Sequence, residues 1–377
     1  ERYLPQVIPG LVGLWLLLSL ARRRNHFGTL VSGVKSKTTE TNQALENLAA
    51  QIRTDKDLHD LFVHHDAREL RSKLQGTKTG RAFLEQFEGF LDRYGHREAS
   101  LTISQPAWKD QPENVLGILK VLAESEPNTP DSYEAWQRTR DKLLAQSIPG
   151  ARLLRNLFLN SLTRARYFFQ IREDTHFYAT MVQPINRRIA LELGRRFVEV
   201  GALDEVSDVF HLRLDELEPY GETWPPKEQD ITQVRSLVRR RKRKRQSLAN
   251  KPMIDPRLLP TASSPGEGIL LTGTSGSPGI AQGPAKIVHD VSEFGKLRTG
   301  DVLIAPVTNP AWTPLFQRAA AIVVDTGGSA SHAAIVAREY GIPAVMGTIH
   351  GTEKLEDGQW ITVDGTRGQV LNAEKSK

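Results

Sequence analysis

Ala321-Ile322-Val323-Val324-Asp325-Thr326-Gly327-Gly328-Ser329-Ala330-Ser331-His332-Ala333-Ala334-Ile335-Val336-Ala337-Arg338 reads as a strand, a glycine-rich turn and a helix, in that order. The β-branched apolar run predicts the strand, and Asp325 to Gly328 break it with residues suited to turns and positive φ. Helix formers run from Ala333 to Tyr340, and Gly341-Ile342-Pro343 ends them. His332 therefore falls in the first turn, where backbone N–H groups lack intrahelical partners and the helix dipole is positive. An anion bonded to the imidazole would be met there by N–H donors and by the hydroxyls of Ser329 and Ser331.

A large fraction of imidazole is neutral near pH 7, so it can attack phosphorus, and the phosphoramidate formed stays reactive enough to pass the group on. That chemistry is a two-step phosphoryl shuttle. An isolated Ser-His pair would read more simply as a helix cap. The extended string carries the sharper reading.

From Gly327 to Gly347, including Tyr340-Gly341-Ile342-Pro343-Ala344-Val345-Met346, the sequence resembles the mobile phosphohistidine domain of the phosphoenolpyruvate (PEP)-utilising enzymes. That family includes PEP synthase, pyruvate phosphate dikinase and rifampicin phosphotransferase. Gly276-Ser277-Pro278-Gly279-Ile280-Ala281-Gln282-Gly283-Pro284-Ala285 agrees with it in order and spacing, as do Gly300-Asp301-Val302-Leu303-Ile304-Ala305-Pro306 and Asn309-Pro310-Ala311-Trp312-Thr313-Pro314. The resemblance covers about 268–377. It implies that His332 carries the phosphate, supported by Gly327, Gly328, Ser329, Ser331 and Arg338. Ala330 stands where dikinases have a regulatory threonine, so that switch is not expected.

The chain has 377 residues, 39% hydrophobic and 25% charged, enough for two domains with buried cores. It has no cysteine, which excludes disulfides, thiolate metal sites and cysteine nucleophiles. PEP synthase and dikinase share a further, cysteine-bearing barrel that binds PEP; this sequence is expected to end before any such domain, so use of PEP itself is not expected. Arg239 to Arg245 supply seven positive charges against a formal net charge of +6. This run continues the helical pattern of Val234, Leu237 and Val238 without interleaved aromatics, so a solvated helix face is expected rather than a nucleic-acid site. Leu4 to Ala21 is free of charge and precedes Arg22-Arg23-Arg24, but Pro5, Gln6, Pro9 and Gly10 interrupt it. A buried or partner-facing helix fits better than membrane contact through 4–21. The expected location is cytoplasmic.

Helical patterns fit 40–53, 66–75, 80–94, 113–125, 131–146 and 150–170, and a further helix runs from Pro184 to Gly201. Residues 1–255 read as a helical substrate-binding or linker region and 256–267 as a linker rich in turn formers. Residues 268–377 read as a β/β/α swivelling domain. The fold class is α+β, multidomain.

The helical region resembles the rifampicin-phosphotransferase-like branch more weakly, through Phe90-Leu91-Asp92-Arg93-Tyr94-Gly95-His96-Arg97, Pro106-Ala107-Trp108 and Arg172-Glu173-Asp174-Thr175-His176. The resemblance implies substrate-binding roles for His96, Arg97, Arg172 and His176, the last standing where the antibiotic enzymes usually have lysine. Residues four apart share a helix face, so Arg172 and His176 can address one phosphoryl group. Ser100 and Thr102 replace acidic residues of the family, which puts any metal or hydroxyl contact of those acids in doubt. His59, His64, His65 and Asp66 lack a ligand frame, and no metal site is expected.

The expectation is thus a phosphotransferase, or the acceptor and carrier part of one, moving phosphate from ATP through His332 to a small organic acceptor. ATP and Mg²⁺ would belong to an ATP-grasp domain, which the sequence does not show. The alternatives are an ATP-dependent condensing or ligase-type enzyme and a non-catalytic carrier module.

Overall fold

The computed structural model describes residues 4–373 apart from 21–22, 24–25, 98–101, 125–131, 146–151, 249–267, 310–311 and 330. The expected linker at 256–267, Ser100 and Ala330 lie outside the described residues. Helices come first: α1 Leu4–Leu20, α2 Phe27–Val31, α3 Lys37–Thr54, α4 Lys56–His64, α5 Ala67–Gln75, α6 Lys78–Tyr94, α7 Pro112–Ala123, α8 Ser132–Ala145, α9 Arg152–Thr180 and α10 Gln183–Glu199. Two short turns, α11 Leu214–Leu217 and α12 Pro219–Glu222, precede α13 Glu228–Leu248. The sheet and its helices follow, so the architecture is α+β and multidomain.

Local rules set the helix ends. Ser36 caps α3 by accepting from Thr39 N while the Thr39 hydroxyl accepts from Ser36 N, and Leu45, Leu48, Ala49 and Ile52 form its buried stripe. The α9 helix runs ten residues beyond the 150–170 expected from its pattern. The extension carries Arg172 and His176, the pair expected to share a helix face, together with Glu173 and Asp174. These two carboxylates take donors from the start of α3: Asp174 accepts from Lys37 N at 2.8 Å and Glu173 from Thr38 Oγ1 at 2.9 Å.

Helix α1 lies along α9, with Gly13 close to Ser161. Among the described residues no helix is long and apolar enough to cross a membrane. Three cations of the basic run of α13 are paired: Arg239 with Asp204, Arg241 with Glu216 and Lys242 with Asp208. These pairs fasten α13 to the turn after α10, over a small core of Phe197, Leu203, Val209, Val234 and Val238.

The eight strands are β1 Ile269–Thr272, β2 Thr274–Ser277, β3 Ile280–Ile287, β4 Val302–Ala305, β5 Ala321–Val324, β6 Ala344–Met346, β7 Trp360–Asp364 and β8 Gln369–Asn372. They are ordered β1-β8-β7-β3-β4-β5-β6-β2. The run β3-β4-β5-β6 is parallel and every other pairing antiparallel. The two outermost strands are consecutive in the chain, separated only by Gly273, so the sheet curls until its ends are joined by one bent segment.

Strand alternation then makes two cores. Val302, Ile304, Ala321 and Val323 face an inner cluster with Val345, Ile361 and Val363. Leu303, Ala305, Ile322 and Val324 face outward, beneath the helices α14 Thr313–Phe316 and α15 His332–Glu339. A last turn, α16 Gly351–Lys354, is capped by buried Asp325, which accepts from the backbone N–H groups of Gly351 and Thr352.

The outer core is shared with the helical half. Helix α7 brings Val115, Ile118, Leu119 and Leu122 against α14 and the preceding 3₁₀ turn, where Phe294, Leu297, Leu315 and Phe316 are all buried. This contact brings α15 down onto α9.

Candidate active site

The turn after β5 puts His332 at the first position of α15. Gly327 takes φ of +123°, open to glycine and strained for residues with a Cβ. Ser331 is the N-cap, with its hydroxyl oxygen 3.4 Å from Ala334 N. The imidazole is 11% exposed, lying between two elements. Its Nε2 is 3.4 Å from the hydroxyl of fully buried Thr313, and its Nδ1 is 4.0 Å from Glu173 Oε2 on α9. A carboxylate on that side favours the proton at Nδ1 and leaves the Nε2 lone pair free.

The helical half supplies the fixed charge. Arg97, 4% exposed, donates from Nη2 to Thr38 Oγ1 at 3.0 Å, and that hydroxyl donates on to Glu173. Arg172 Nη1 is 3.6 Å from Glu173 Oε1. The Nη1 atoms of Arg97 and Arg172, together with His96 Nε2, are buried without a hydrogen-bond partner. Buried donors without acceptors are costly, and in a native site they mark a place for a ligand.

The potential follows from these placements. Burial first, then Arg97, Arg172 and His176, hold His332 down to about 3. Burial and Arg97 likewise lower His176, and they hold His96, whose ring meets Phe177 edge-on at 4.4 Å between centroids, to about 4. Burial pushes the Glu339 carboxyl up to about 8, with Glu173 adding to it. Burial first, and the neighbouring guanidiniums second, keep the imidazoles of the site neutral.

Of the residues expected from sequence, His332, Arg97, Arg172 and His176 meet here, with His96 behind them. Gly327, Gly328 and Ser329 form the turn leading to the helix. Arg338 is a correction. It lies six residues after His332, on another helix face, and its two terminal nitrogens donate to Gly276 O and Ser329 O, each at 2.7 Å. It therefore braces the turn and does not reach toward the imidazole. Thr102, standing where the family has an acid, is exposed beside Ser104. His64 and His65 bond to carbonyls of their own helix, and among the described residues no three metal-ligating side chains cluster.

Sequence reasoning missed Glu173, Thr38, Thr313 and Glu339 as parts of the site. Glu173 and Thr313 lie inside the motifs that carried the resemblance, and their spacing to Arg172 and Trp312 was the available signal. Thr38 had none, since only the α3–α9 contact brings it near.

Two family descriptions match this chain: the rifampicin phosphotransferase fourth domain over residues 2–173 and the PEP-utilising enzyme mobile domain over residues 297–368, which contains His332. The chain belongs to the PEP-utilising enzymes. It is 31% identical over 376 residues to the uncharacterized phosphotransferase YvkC of Bacillus subtilis, covering 93% of this chain and 44% of that protein. It is 27% identical to the rifampicin phosphotransferase of Streptomyces sviceus, covering 88% and 39%. A probable PEP synthase of Pyrococcus abyssi is 53% identical over 102 residues, 27% of this chain and 12% of that protein. The chain spans less than half the length of these relatives.

Proposed function

We propose that this PEP-utilising family member is a phosphotransferase in which His332 carries a phosphoryl group and the helical half passes it to a small organic acceptor. The observation carrying this reading is the pair of guanidiniums Arg97 and Arg172, each with a buried Nη1 that makes no hydrogen bond, beside a neutral imidazole. That set suits a phosphoryl dianion arriving on a nitrogen nucleophile. In the first step a P–O bond of the donor breaks as the imidazole forms an N–P bond. In the second, an acceptor oxygen attacks phosphorus and the N–P bond breaks, restoring the neutral ring. The acceptor proton passes to His176, a neutral base on the same face of α9 as Arg172. Arg97 and Arg172 stabilise the charge spread over the phosphoryl oxygens in transit.

ATP is the proposed source, with Mg²⁺ at a nucleotide-binding ATP-grasp domain outside this chain. The residues around His332 do not fit a divalent cation: they are imidazoles and guanidiniums with two carboxyl groups, Glu173, already held by Thr38 and Arg172, and Glu339, which burial keeps protonated near neutrality. The test is to incubate the full-length natural protein with γ- or β-labelled ATP and seek acid-labile label. Label on His332 supports the reading; stable label elsewhere, or none, overturns it.

A second reading is activation for condensation. The prodigiosin synthesizing transferase PigC of Serratia marcescens is 28% identical over 89% of this chain. Product analysis separates the two: a phosphotransferase leaves phosphate on the acceptor, whereas a condensing enzyme releases it when the new bond forms.

A further inference from the structure

Two residues of the sheet unit reach the helical half on either side of His332. On one side Arg338, held by Gly276 and Ser329, lies over Gly28 in α2. A Cβ on Gly28 would collide with the Arg338 Cδ, and every near atom it would meet belongs to Arg338. With its guanidinium fixed to two carbonyls, that side chain cannot simply swing aside. On the other side Arg318, 9% exposed and donating to Leu297 O at 3.2 Å, pairs with Glu124 Oε2 at 3.1 Å, just past the end of α7. Arg318 Nε has no partner, so Glu124 is the acid that compensates this buried cation.

We propose that Gly28 and Glu124 are the docking register of the phosphohistidine unit: a notch for Arg338 and an anchor for Arg318 that together bring His332 onto Arg97, Arg172 and Glu173. An apolar contact such as that on α7 is non-directional and tolerates sliding. A steric notch and a charge pair at separate points fix both position and rotation. The role assigned to Arg338 also accounts for its distance from the imidazole. This inference rests on the reading of the sheet unit as one that leaves and returns.

The chain has no cysteine, so docking can be measured without any chemistry at His332. Cysteines placed at exposed Ser72 and Glu356 carry spin labels, and pulsed dipolar spectroscopy reads the docked distance population. Gly28→Leu and Glu124→Arg should each lower the docked-to-undocked ratio by about tenfold, a usual size for overpacking a tight contact or stranding a buried charge. Gly28→Ala, a change that favours helix and so leaves α2 folded, should shift the ratio the same way to a smaller extent. Glu124→Arg with Arg318→Glu should restore it. Parental distances in Gly28→Leu overturn the notch, and parental distances in Glu124→Arg, or no rescue by the double exchange, overturn the anchor. Because the readout is a distance, these results stand apart from the phosphorylation test: failure of labelling at His332 leaves them untouched, and the reverse holds as well.

Discussion

The sheet unit and the helical unit contribute opposite things to the site. The first brings a neutral imidazole on a short helix, capped by serine and braced by an arginine that faces elsewhere. The second brings the charge: Arg97 and Arg172, with Glu173 held in place by Thr38. A carrier that serves more than one station gains from keeping its own surroundings neutral, because a built-in clamp would hold its cargo everywhere. Under the proposed function, the place of delivery would decide when the phosphoryl group leaves, by presenting cations only there.

Removing the nucleophile should break this division completely. His332→Ala is expected to abolish acid-labile labelling in the full-length protein while leaving its thermal unfolding nearly unchanged, since a first-turn side chain contributes little core. Retained label in that variant would end the carrier assignment.

Removing the charge should spare the first half-reaction and stop the second. Arg172→Ala and Arg97→Met are expected to leave His332 labelling intact and slow transfer to the acceptor by on the order of a hundredfold each. Rapid-quench measurement of the two half-reactions shows whether the loss is confined to transfer. In Arg97→Met the imidazole should also titrate closer to its ordinary value by NMR.

Docking should have a pH optimum. His332, His176 and His96 have lowered pKa values when docked, so the undocked state binds more protons and docking weakens as pH falls below about 6.5. Glu339 is raised to about 8, so the docked state holds its proton, and that contribution is lost as pH rises through 8. Because the Glu339 contribution already declines between its ordinary value of 4.5 and about 8, the docked population should peak near pH 6.5 to 7 and fall toward 8, and a flat profile would show that burial at this contact is not what sets these values. The smallest effect is expected at Thr313→Val, which removes the hydroxyl near Nε2 and should slow loading of His332 by about fivefold, in line with a net hydrogen-bond contribution of about 1 kcal/mol.

The sheet unit was largely legible in the sequence because its rules are local. Gly327 needs its positive φ, Ser331 caps, and the alternation of Val302 to Ala305 requires two cores within one strand. The helical unit was legible as helices and in part as a site, through Arg97, Arg172 and His176. Glu173 and Thr38 were not, because only the crossing of α9 by the start of α3 brings them together. Arg338 differs again: the resemblance implied that it supports the phosphate, whereas helical rotation sends it to Gly28.

A unit that undocks crosses open water with its β-structure uncovered, where a long free strand edge would invite pairing with another chain. Here the sheet ends are β1 and β2, each four residues long and joined through Gly273. The curled sheet thus offers a second molecule only two short, bent margins, which would suit the proposed movement of this unit without aggregation.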